Sequence, residues 1–416
     1  MESARAENRI YYGWMVVFLG SLSLFFSGPG QTYSNAVFID SYIKDFGWDR
    51  SLVSGIYSSA TLLAGSLLFI VGRGIDRFGQ RNVSLLISIL LAMACFWNSV
   101  VLTPFMLFVG FFFIRLFGQG SMTLVPNTLI PQWFIAKRGR ALSIMALGGF
   151  LSSALFPPLN AWLISEFSWE TAWRILGFGI LLIYVPLAYL FLKNKPEDIG
   201  LLPDNHKMAD DPTVKETQYD VSWTLKEAMK TRQLWLILFC VSIPSMINTG
   251  LTFHLLSILS GSGLNAATAA LILSLMAIIG FPVTLLSGFI LEKIRVNVVL
   301  AFLFIGQLVF LTVLYFTESF PAAILFGVIW GIVGGIERIT ITLIFPDYFG
   351  RKYLGSIKGI AMTVTVIGSA FGPLPFGVAY DLFGGYQEII LIMMLFPVLG
   401  VIASLLSPKP IKKTFK

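Results

Sequence analysis

Three ionisable residues, Arg115, Glu337 and Arg338, lie inside long apolar runs of the 416-residue chain. An arginine in such surroundings can hold an anion through charge-assisted hydrogen bonds. A glutamate there can carry a proton, because burial away from water favours the neutral form of a carboxyl group. If the runs cross a membrane, each charge costs about 2.5–3.5 kcal/mol on insertion scales. These residues are therefore candidates for a substrate or proton pathway.

Each of the three also has a structural interpretation. Arg115 could bridge two helices or bind backbone carbonyl groups, although Gln119 gives the same helix face a second polar group. The positive charge of Arg338 would oppose the neutral form of its neighbour Glu337. Because successive helical side chains point about 100° apart, the two residues need different partners. We expect Arg115 and Arg338 to bind substrate and Glu337 to couple transport to protons.

Uncharged residues near glycine-rich interruptions of two apolar runs could complete the site. His254 could sense pH or contact a substrate, but a lone histidine is as often a hydrogen-bonded packing residue. Trp330, two turns before Glu337, could stack on a substrate or belong to the core. The candidate substrate-binding residues are Arg115, Gln119, Arg338, Tyr33, His254, Gln31, Asn35, Asn248 and Trp330.

The elements that position these residues follow from composition. The chain is 56% hydrophobic and 12% charged, with a mean hydropathy of +0.80, whereas soluble domains carry about 25% charged residues. These values exclude a disordered or disulfide-stapled chain and indicate a multi-pass membrane protein embedded in a lipid bilayer. Although the pI is 9.3, the basic residues lie between apolar runs and form no nucleic-acid patch.

Other chemistry has no signal in the sequence. The two cysteines, Cys95 and Cys240, lie in separate apolar runs without metal-ligand spacing, and no Walker loop is present. A membrane enzyme would need clustered histidines or paired acids within the runs, and one glutamate and one histidine on different runs do not supply them. We therefore expect no cofactor, no metal and no enzymatic activity.

Twelve apolar runs are long enough to cross a bilayer, which takes about 20 residues of helix. They are continuously apolar rather than alternating, which favours helices over a barrel. The predicted spans are roughly 12–38, 51–72, 82–102, 104–133, 141–164, 172–192, 233–259, 266–291, 297–316, 321–346, 356–379 and 385–406.

Basic residues are distributed unevenly around these spans. Of 29 lysines and arginines, 24 fall in the segments that are cytoplasmic if the N-terminus is inside, and 3 fall on the other side. The remaining two, Arg115 and Arg338, are expected to be the only basic residues within spans. This asymmetry predicts cytoplasmic N- and C-termini in the cell membrane.

The chain reads as a duplicated six-span unit. The segment 133–138 resembles 348–352 at an offset near 215, and 72–77 resembles 288–293 at an offset of 216. A polar stretch rich in proline and charge separates the halves. We predict a bundle over 1–192, a cytoplasmic linker over 193–232 and a second bundle over 233–416, the parallel-repeat layout of certain transporters.

The segment 72–81 carries the most specific motif: glycine, three residues, Asp-Arg, one residue, glycine, one residue and arginine. It resembles the loop between spans 2 and 3 of the major facilitator superfamily. Tyr12-Gly13-Trp14 and the segment 133–139 are similar to monocarboxylate porters and oxalate–formate antiporters within it. The resemblance implies an all-α fold of two six-helix bundles with pseudo-twofold symmetry. It implies a gating role for Gly72, Asp76, Arg77, Gly79 and Arg81.

One departure concerns the substrate. Carriers of the oxalate–formate and monocarboxylate type place a basic residue in span 8, and the former another in span 11, whereas 280–284 and 363–366 carry none here. We expect a secondary active transporter that moves a small organic anion, such as a carboxylate, by alternating access with proton coupling. An anion exchanger or an efflux carrier of another solute is the alternative. A non-transporting sensor would need a larger soluble domain than the linker of about 40 residues that the sequence contains.

Overall fold

The computed structural model describes residues 11–48, 50–205, 222–264 and 266–412, and every regular element within these ranges is helical. By internal contacts the chain forms two units, Met1–Asp220 and Val221–Lys416. The all-α membrane fold predicted from composition is confirmed. Residues 206–221 of the predicted linker lie outside the described residues.

The first unit contains the first six predicted spans. Its helices are α1 Gly13–Phe26, α2 Thr32–Phe46, α3 Arg50–Ser66, α4 Leu68–Asn98, α5 Pro104–Phe113, α6 Met122–Trp133, α7 Arg138–Glu166, α8 Trp169–Gly179 and α9 Val185–Phe191. One π-helical segment, Ile114–Ser121, joins α5 to α6. A second, Ile180–Tyr184, joins α8 to α9. π-Helical turns are rare and often lie at functional sites.

The second unit contains the last six spans. Its helices are α10 Leu225–Met229, α11 Arg232–Gly261, α12 Ala266–Leu291, α13 Val296–Tyr315, α14 Phe320–Phe349, α15 Leu354–Ala370, α16 Pro373–Phe383 and α17 Gln387–Leu405. Glycines bring α14 close to α12, since a Cβ added at Gly331 or Gly335 would lie 2.9 Å from the Met276 carbonyl oxygen or 2.8 Å from that of Gly280. Small residues allow such close approach between membrane helices.

Eleven stretches of the described residues are long and apolar enough to cross a membrane. One of them, Gly55–Asn98, has 44 residues, which at 1.5 Å per residue is about twice the hydrocarbon thickness. It is interrupted at Gly79, which has φ 80° and ψ 158°, a conformation open almost only to glycine. Two spans therefore meet at this residue, which gives twelve spans in the described chain.

This geometry corrects the predicted loop over 72–81. Helix α4 continues to Phe78 and resumes at Gln80, so that Gly72, Asp76 and Arg77 are helical and the connection is a single-residue break. The charged residues of this segment predict that span 2 ends before them. They are instead part of its helix, because a helix can extend beyond the hydrocarbon layer into water.

A second correction concerns Lys358, which the count of 24 cytoplasmic basic residues includes although the predicted span 356–379 contains it. It lies in the second turn of α15, where its side chain is only 5% exposed. The prediction that Arg115 and Arg338 are the only basic residues within the spans is therefore wrong. Charge alone groups Lys358 with the nearby Arg351 and Lys352 outside the helix, whereas α15 begins at Leu354 and contains it.

Both described ends of the linker attach to a bundle. In the first unit, the Asp204 carboxylate accepts hydrogen bonds from the backbone N–H groups of Ile135, Ala136 and Lys137 at 2.8, 2.7 and 3.1 Å. In the second unit, the Lys412 ammonium donates to the Glu227 carboxylate at 2.9 Å. The hydrogen bonds from Lys412 and Thr224 lower the pKa of Glu227 to about 2, so this contact stays charged at neutral pH.

Candidate functional site

Span 1 is broken by its own sequence. Gly28-Pro29-Gly30 forms a single 3-10 turn, and Gln31 is extended with φ −83° and ψ 151°, so the helix stops at Phe26 and restarts at Thr32. Proline lacks an N–H group and glycine is a poor helix former, which favours the interruption. The break leaves backbone carbonyl groups that the helix no longer satisfies.

Arg115 binds one of these carbonyl groups. Its Nη1 donates to the Gly30 oxygen at 2.9 Å and to Thr32 Oγ1 at 3.2 Å, while Nε donates to Thr61 Oγ1 at 3.0 Å. Its guanidinium carbon lies 4.9 Å from the centre of the Tyr57 ring, a cation–π distance. Arg115 is only 5% exposed, and all partners that the described residues give it are uncharged.

The backbones must approach closely for this contact to form. A Cβ added at Gly30 would lie 2.2 Å from the Ile114 carbonyl oxygen, and one added at Gly118 would lie 2.7 Å from the Gly30 Cα. The π-helical segment that carries Arg115 therefore packs directly on the break in span 1. Gln119 belongs to the same segment and is half-buried.

Three other predicted residues support the break. Asn35 donates from Nδ2 to the carbonyl oxygens of Pro29 at 3.1 Å and Gln31 at 2.8 Å. Gln31 donates from Nε2 to Ser27 Oγ at 3.0 Å. Tyr33 donates its hydroxyl hydrogen to Ser152 Oγ at 2.7 Å. The structure thus brings Arg115, Gln119, Gln31, Asn35 and Tyr33 to one region, the break cluster, where the exposed Thr32 reaches the surface.

A second cluster forms around Glu337 in the other unit. Asn248 Nδ2 lies 3.4 Å from both carboxylate oxygens of Glu337. Trp330 Nε1 donates to Asn248 Oδ1 at 2.8 Å, and the Trp330 ring is buried against Phe326 with ring centres 5.2 Å apart. The Trp330 ring is packed in the core, which is one of its two interpretations. Its indole nitrogen makes a polar contact with Asn248.

Gln307 is a buried polar residue of the second unit that the sequence did not single out. It lies in α13, is 1% exposed, and its Oε1 has no hydrogen-bond partner among the described residues. A lone amide in the middle of a 20-residue apolar helix is the signal that could have identified it. Asn248, Trp330 and Glu337 are called the carboxyl cluster below.

Arg338 points away from the core although it lies near the middle of α14. Its side chain is exposed, whereas Glu337 is half-buried. The two neighbours therefore face different surroundings, as the helical geometry predicts. A charged side chain exposed at mid-helix is compatible with an aqueous face of the second unit.

His254 lies apart from the carboxyl cluster. Its Nδ1 is 3.2 Å from the Tyr386 hydroxyl and its Nε2 is 3.2 Å from the Pro373 carbonyl oxygen. Because a carbonyl can only accept, Nε2 carries the hydrogen and Nδ1 accepts from Tyr386. The ring also stacks on Phe376 at 5.8 Å. Both ring nitrogens of His254 have hydrogen-bond partners, as expected for a packing residue.

The break at Gly79 is held by the end of span 6. The Arg81 backbone N–H donates to Asn194 Oδ1 at 2.8 Å, and Arg81 Nη2 donates to the Tyr189 carbonyl oxygen at 2.7 Å. A Cβ added at Gly79 would lie 2.9 Å from Asn194 Oδ1. Arg77 lies over the Phe78 ring at 5.2 Å. The motif is thus anchored within its own unit.

Comparisons with known proteins cover most of the chain. A family model described as Major Facilitator Superfamily matches residues 20–373. A nitrite extrusion protein of Bacillus subtilis is 23% identical over 355 residues, covering 84% of both chains. Monocarboxylate transporter 13 of Bos taurus is 25% identical over 388 residues, covering 90% of this chain and 84% of the relative. The crystal structure of the human organic anion transporter MFSD10 shares the fold, with a TM-score of 0.67 and 13% identity, over 94% of this chain and 99% of that one.

Proposed function

Since this chain belongs to the Major Facilitator Superfamily and is a membrane transporter, we propose that its solute is a small organic anion. Transport would proceed by alternating access with proton symport, in the cell membrane, with both termini in the cytoplasm. The observation that carries the anion assignment is the uncompensated charge of Arg115. Its described partners are a carbonyl, two hydroxyls and an aromatic ring, none of which neutralises it.

A positive charge without an acidic partner in a low-dielectric region attracts an anion strongly. Arg115 is largely covered, and the exposed Thr32, whose hydroxyl accepts a hydrogen bond from Nη1, lies beside it. Arg338 supplies a second positive group on an exposed helix surface. These two arginines are the proposed anchors for the substrate.

The names of several relatives favour an anionic solute. A nitrite extrusion protein, a monocarboxylate transporter and an organic anion transporter each carry an anion by name. A riboflavin transporter of Saccharomyces cerevisiae, 24% identical over 399 residues, shows that the relatives also include carriers of other solutes. Anion exchange or efflux of a different solute is the second candidate, because the relatives include extrusion and efflux proteins.

Proton coupling is assigned to Glu337. It lies in the 30-residue apolar helix α14 and is half-buried beside the Asn248 amide, while its neighbour Arg338 is exposed. Burial away from water favours the neutral carboxyl, and partial exposure leaves a route for a proton. A carboxyl in this setting can exist in both forms, which a symporter requires.

A thermal-shift screen of the purified protein tests the solute class. The probes are carboxylic acids, amino acids and neutral sugars at equal concentration, and we expect stabilisation by carboxylates only. Arg115→Ala and Arg338→Ala should each abolish that stabilisation. A hit from the uncharged probes alone would overturn the anion assignment.

Transport in proteoliposomes tests the coupling. With the carboxylate identified by the screen, Glu337→Gln should bind normally and exchange internal for external solute, because glutamine imitates a permanently protonated carboxyl. It should fail to accumulate solute when a proton gradient is imposed. Accumulation with the pH dependence of the wild type would contradict the assignment and favour plain anion exchange.

A further inference from the structure

Two residues of α14 contact the same amide. Trp330 and Glu337 are separated by about two helical turns, so they lie on one face of the helix. The Asn248 side chain of α11 lies between them. Its Oδ1 accepts a hydrogen bond from the Trp330 indole N–H at 2.8 Å, and its Nδ2 lies 3.4 Å from both carboxylate oxygens of Glu337. The amide therefore links a buried indole to the group proposed to bind a proton.

The indole fixes which end of the Asn248 amide faces Glu337. An indole N–H can only donate, so it requires the amide oxygen, and the amino group is then directed at the carboxylate. The reversed amide would place two donors together at Trp330 and two acceptors together at an ionised Glu337. Trp330 is only 2% exposed, so little water is available to replace Asn248 as its acceptor. In this orientation Asn248 can donate to a carboxylate but cannot accept from a protonated carboxyl.

We propose that Trp330 is a positioning residue for Glu337 and that it acts through Asn248. By holding the amide oxygen, the indole keeps a hydrogen-bond donor directed at the carboxyl group in both protonation states. That donor stabilises the carboxylate, whereas the protonated carboxyl gains no acceptor from Asn248. Trp330 thus favours release of the proton, although its indole bonds Asn248 rather than Glu337. This role rests on the proton coupling proposed above.

Other ionisable groups on α14 and its neighbouring helices are placed differently. Arg338 is exposed on the next residue, and it stays the same in every variant compared below. His254 on α11 is held by Tyr386 and Pro373. The sequence of α12 contains no ionisable residue. The remaining ionisable residues of these helices are Asp347 and Tyr348 near the end of α14, Tyr315 at the end of α13, Lys358 in the second turn of α15, and Arg232 and Cys240 in the first third of α11.

Trp330→Phe tests the proposal because it removes the indole N–H and keeps an aromatic ring in the core. The Asn248 amide can then turn its oxygen towards a protonated Glu337. We expect the carboxyl to bind its proton about tenfold more tightly, the effect of about one hydrogen bond, which moves the midpoint of its titration about one pH unit higher. Infrared difference spectroscopy of the reconstituted protein measures this midpoint from the carboxyl C=O band that is absent in Glu337→Gln.

Two comparisons separate positioning from general packing. Trp173→Phe is the matched control, because Trp173 is also buried and its Nε1 donates to the Tyr42 hydroxyl at 2.9 Å in the first unit. It should leave the midpoint unchanged. In an Asn248→Leu background, Trp330→Phe should produce no further shift, since the amide through which it acts is gone. Trp330→Met and Asn248→Ala serve if the first variants do not fold.

The outcomes distinguish this proposal from the proton coupling on which it rests. A titrating carboxyl band whose midpoint is the same in Trp330→Phe as in the wild type would overturn the role of Trp330 and leave the coupling at Glu337 intact. A shift that persists in the Asn248→Leu background, or that Trp173→Phe also produces, would overturn the role as well. The absence of any titrating Glu337 band would contradict the proton coupling and, with it, the role of Trp330.

Discussion

Gly118 and Gly30 face each other across the contact between spans 4 and 1 with only backbone between them. A Cβ added at Gly118 would lie 2.7 Å from the Gly30 Cα and 2.9 Å from its nitrogen. These are backbone atoms, which cannot rotate away as the end of a side chain can. This approach brings the Gly30 carbonyl within hydrogen-bond reach of Arg115.

Gly118→Ala should therefore destabilise the protein. We expect a loss of about 1–3 kcal/mol, the usual cost of overpacking, because spans 1 and 4 must separate. Thermal unfolding of the purified protein measures it. Gly149→Ala is the matched control, since Gly149 is also helical but has nothing within 4 Å of an added Cβ. Equal melting temperatures for the two variants would contradict the proposed packing constraint.

Arg115→Lys should separate charge from geometry. Lysine keeps the positive charge but has one ammonium group and cannot bond Thr61 and Gly30 from two directions. We expect carboxylate binding to weaken about 10-fold, one lost hydrogen bond to a charged group, while Arg115→Ala removes binding. Thr61→Val keeps the arginine and should retain binding. If Arg115→Lys and Arg115→Ala bind alike, the charge is not what holds the anion.

Gly79→Ala should strain the junction between spans 2 and 3. A side chain at φ 80° and ψ 158° costs about 1–3 kcal/mol, and the added Cβ would also meet Asn194. Gly74→Ala, in open space on the same helix, should be tolerated. Adding Asn194→Ala to Gly79→Ala removes the steric contact only, so the double variant should remain less stable than Asn194→Ala alone. Recovery of full stability would show that backbone conformation is unimportant there.

Asp76→Asn tests the gating role proposed for the motif. If the carboxylate helps to hold the cytoplasmic side closed, its loss should slow solute uptake in proteoliposomes while leaving thermal stabilisation by the solute unchanged. A variant with wild-type turnover would reduce the motif to a structural and topological element. Loss of both binding and uptake would instead point to misfolding, which the melting temperature reveals.

Cysteine labelling tests the proposed topology. The native Cys95 and Cys240 are buried, so a thiol reagent should label only the introduced cysteine. Lys44, Ile199 and Ile411 are exposed. An impermeant thiol reagent applied to intact cells should label Lys44→Cys and spare Ile199→Cys and Ile411→Cys. External labelling at position 199 would contradict a cytoplasmic linker.

The parts of the fold that sequence predicts are those set by local composition. Apolar length gives the twelve spans, and the cost of burying charge singles out Arg115, Glu337 and Arg338. The partners of Arg115 were not predictable, because the Gly30 carbonyl becomes available only when the break in span 1 packs on the π-helical segment of span 4. Gln307 was missed because an amide within an apolar helix carries no charge to mark it.

Other differences have equally physical reasons. The charged residues around Asp76 were read as a loop, since hydropathy does not distinguish a helix that continues into water from a turn. His254 was left between two interpretations because its partners, Tyr386 and Pro373, are more than a hundred residues away along the chain. Long-range contacts of this kind decide between a packing and a functional histidine.

The single-residue junction at Gly79 also has a mechanical consequence. A flexible loop absorbs the tilt of one helix before its neighbour is affected, whereas a joint made of one residue, clamped by Asn194, transmits it. We expect spans 2 and 3 to be rigidly coupled, so that a change in the tilt of one span in the bilayer also changes the tilt of the other. Inserting two glycines at this junction should leave both helices intact and uncouple their tilts.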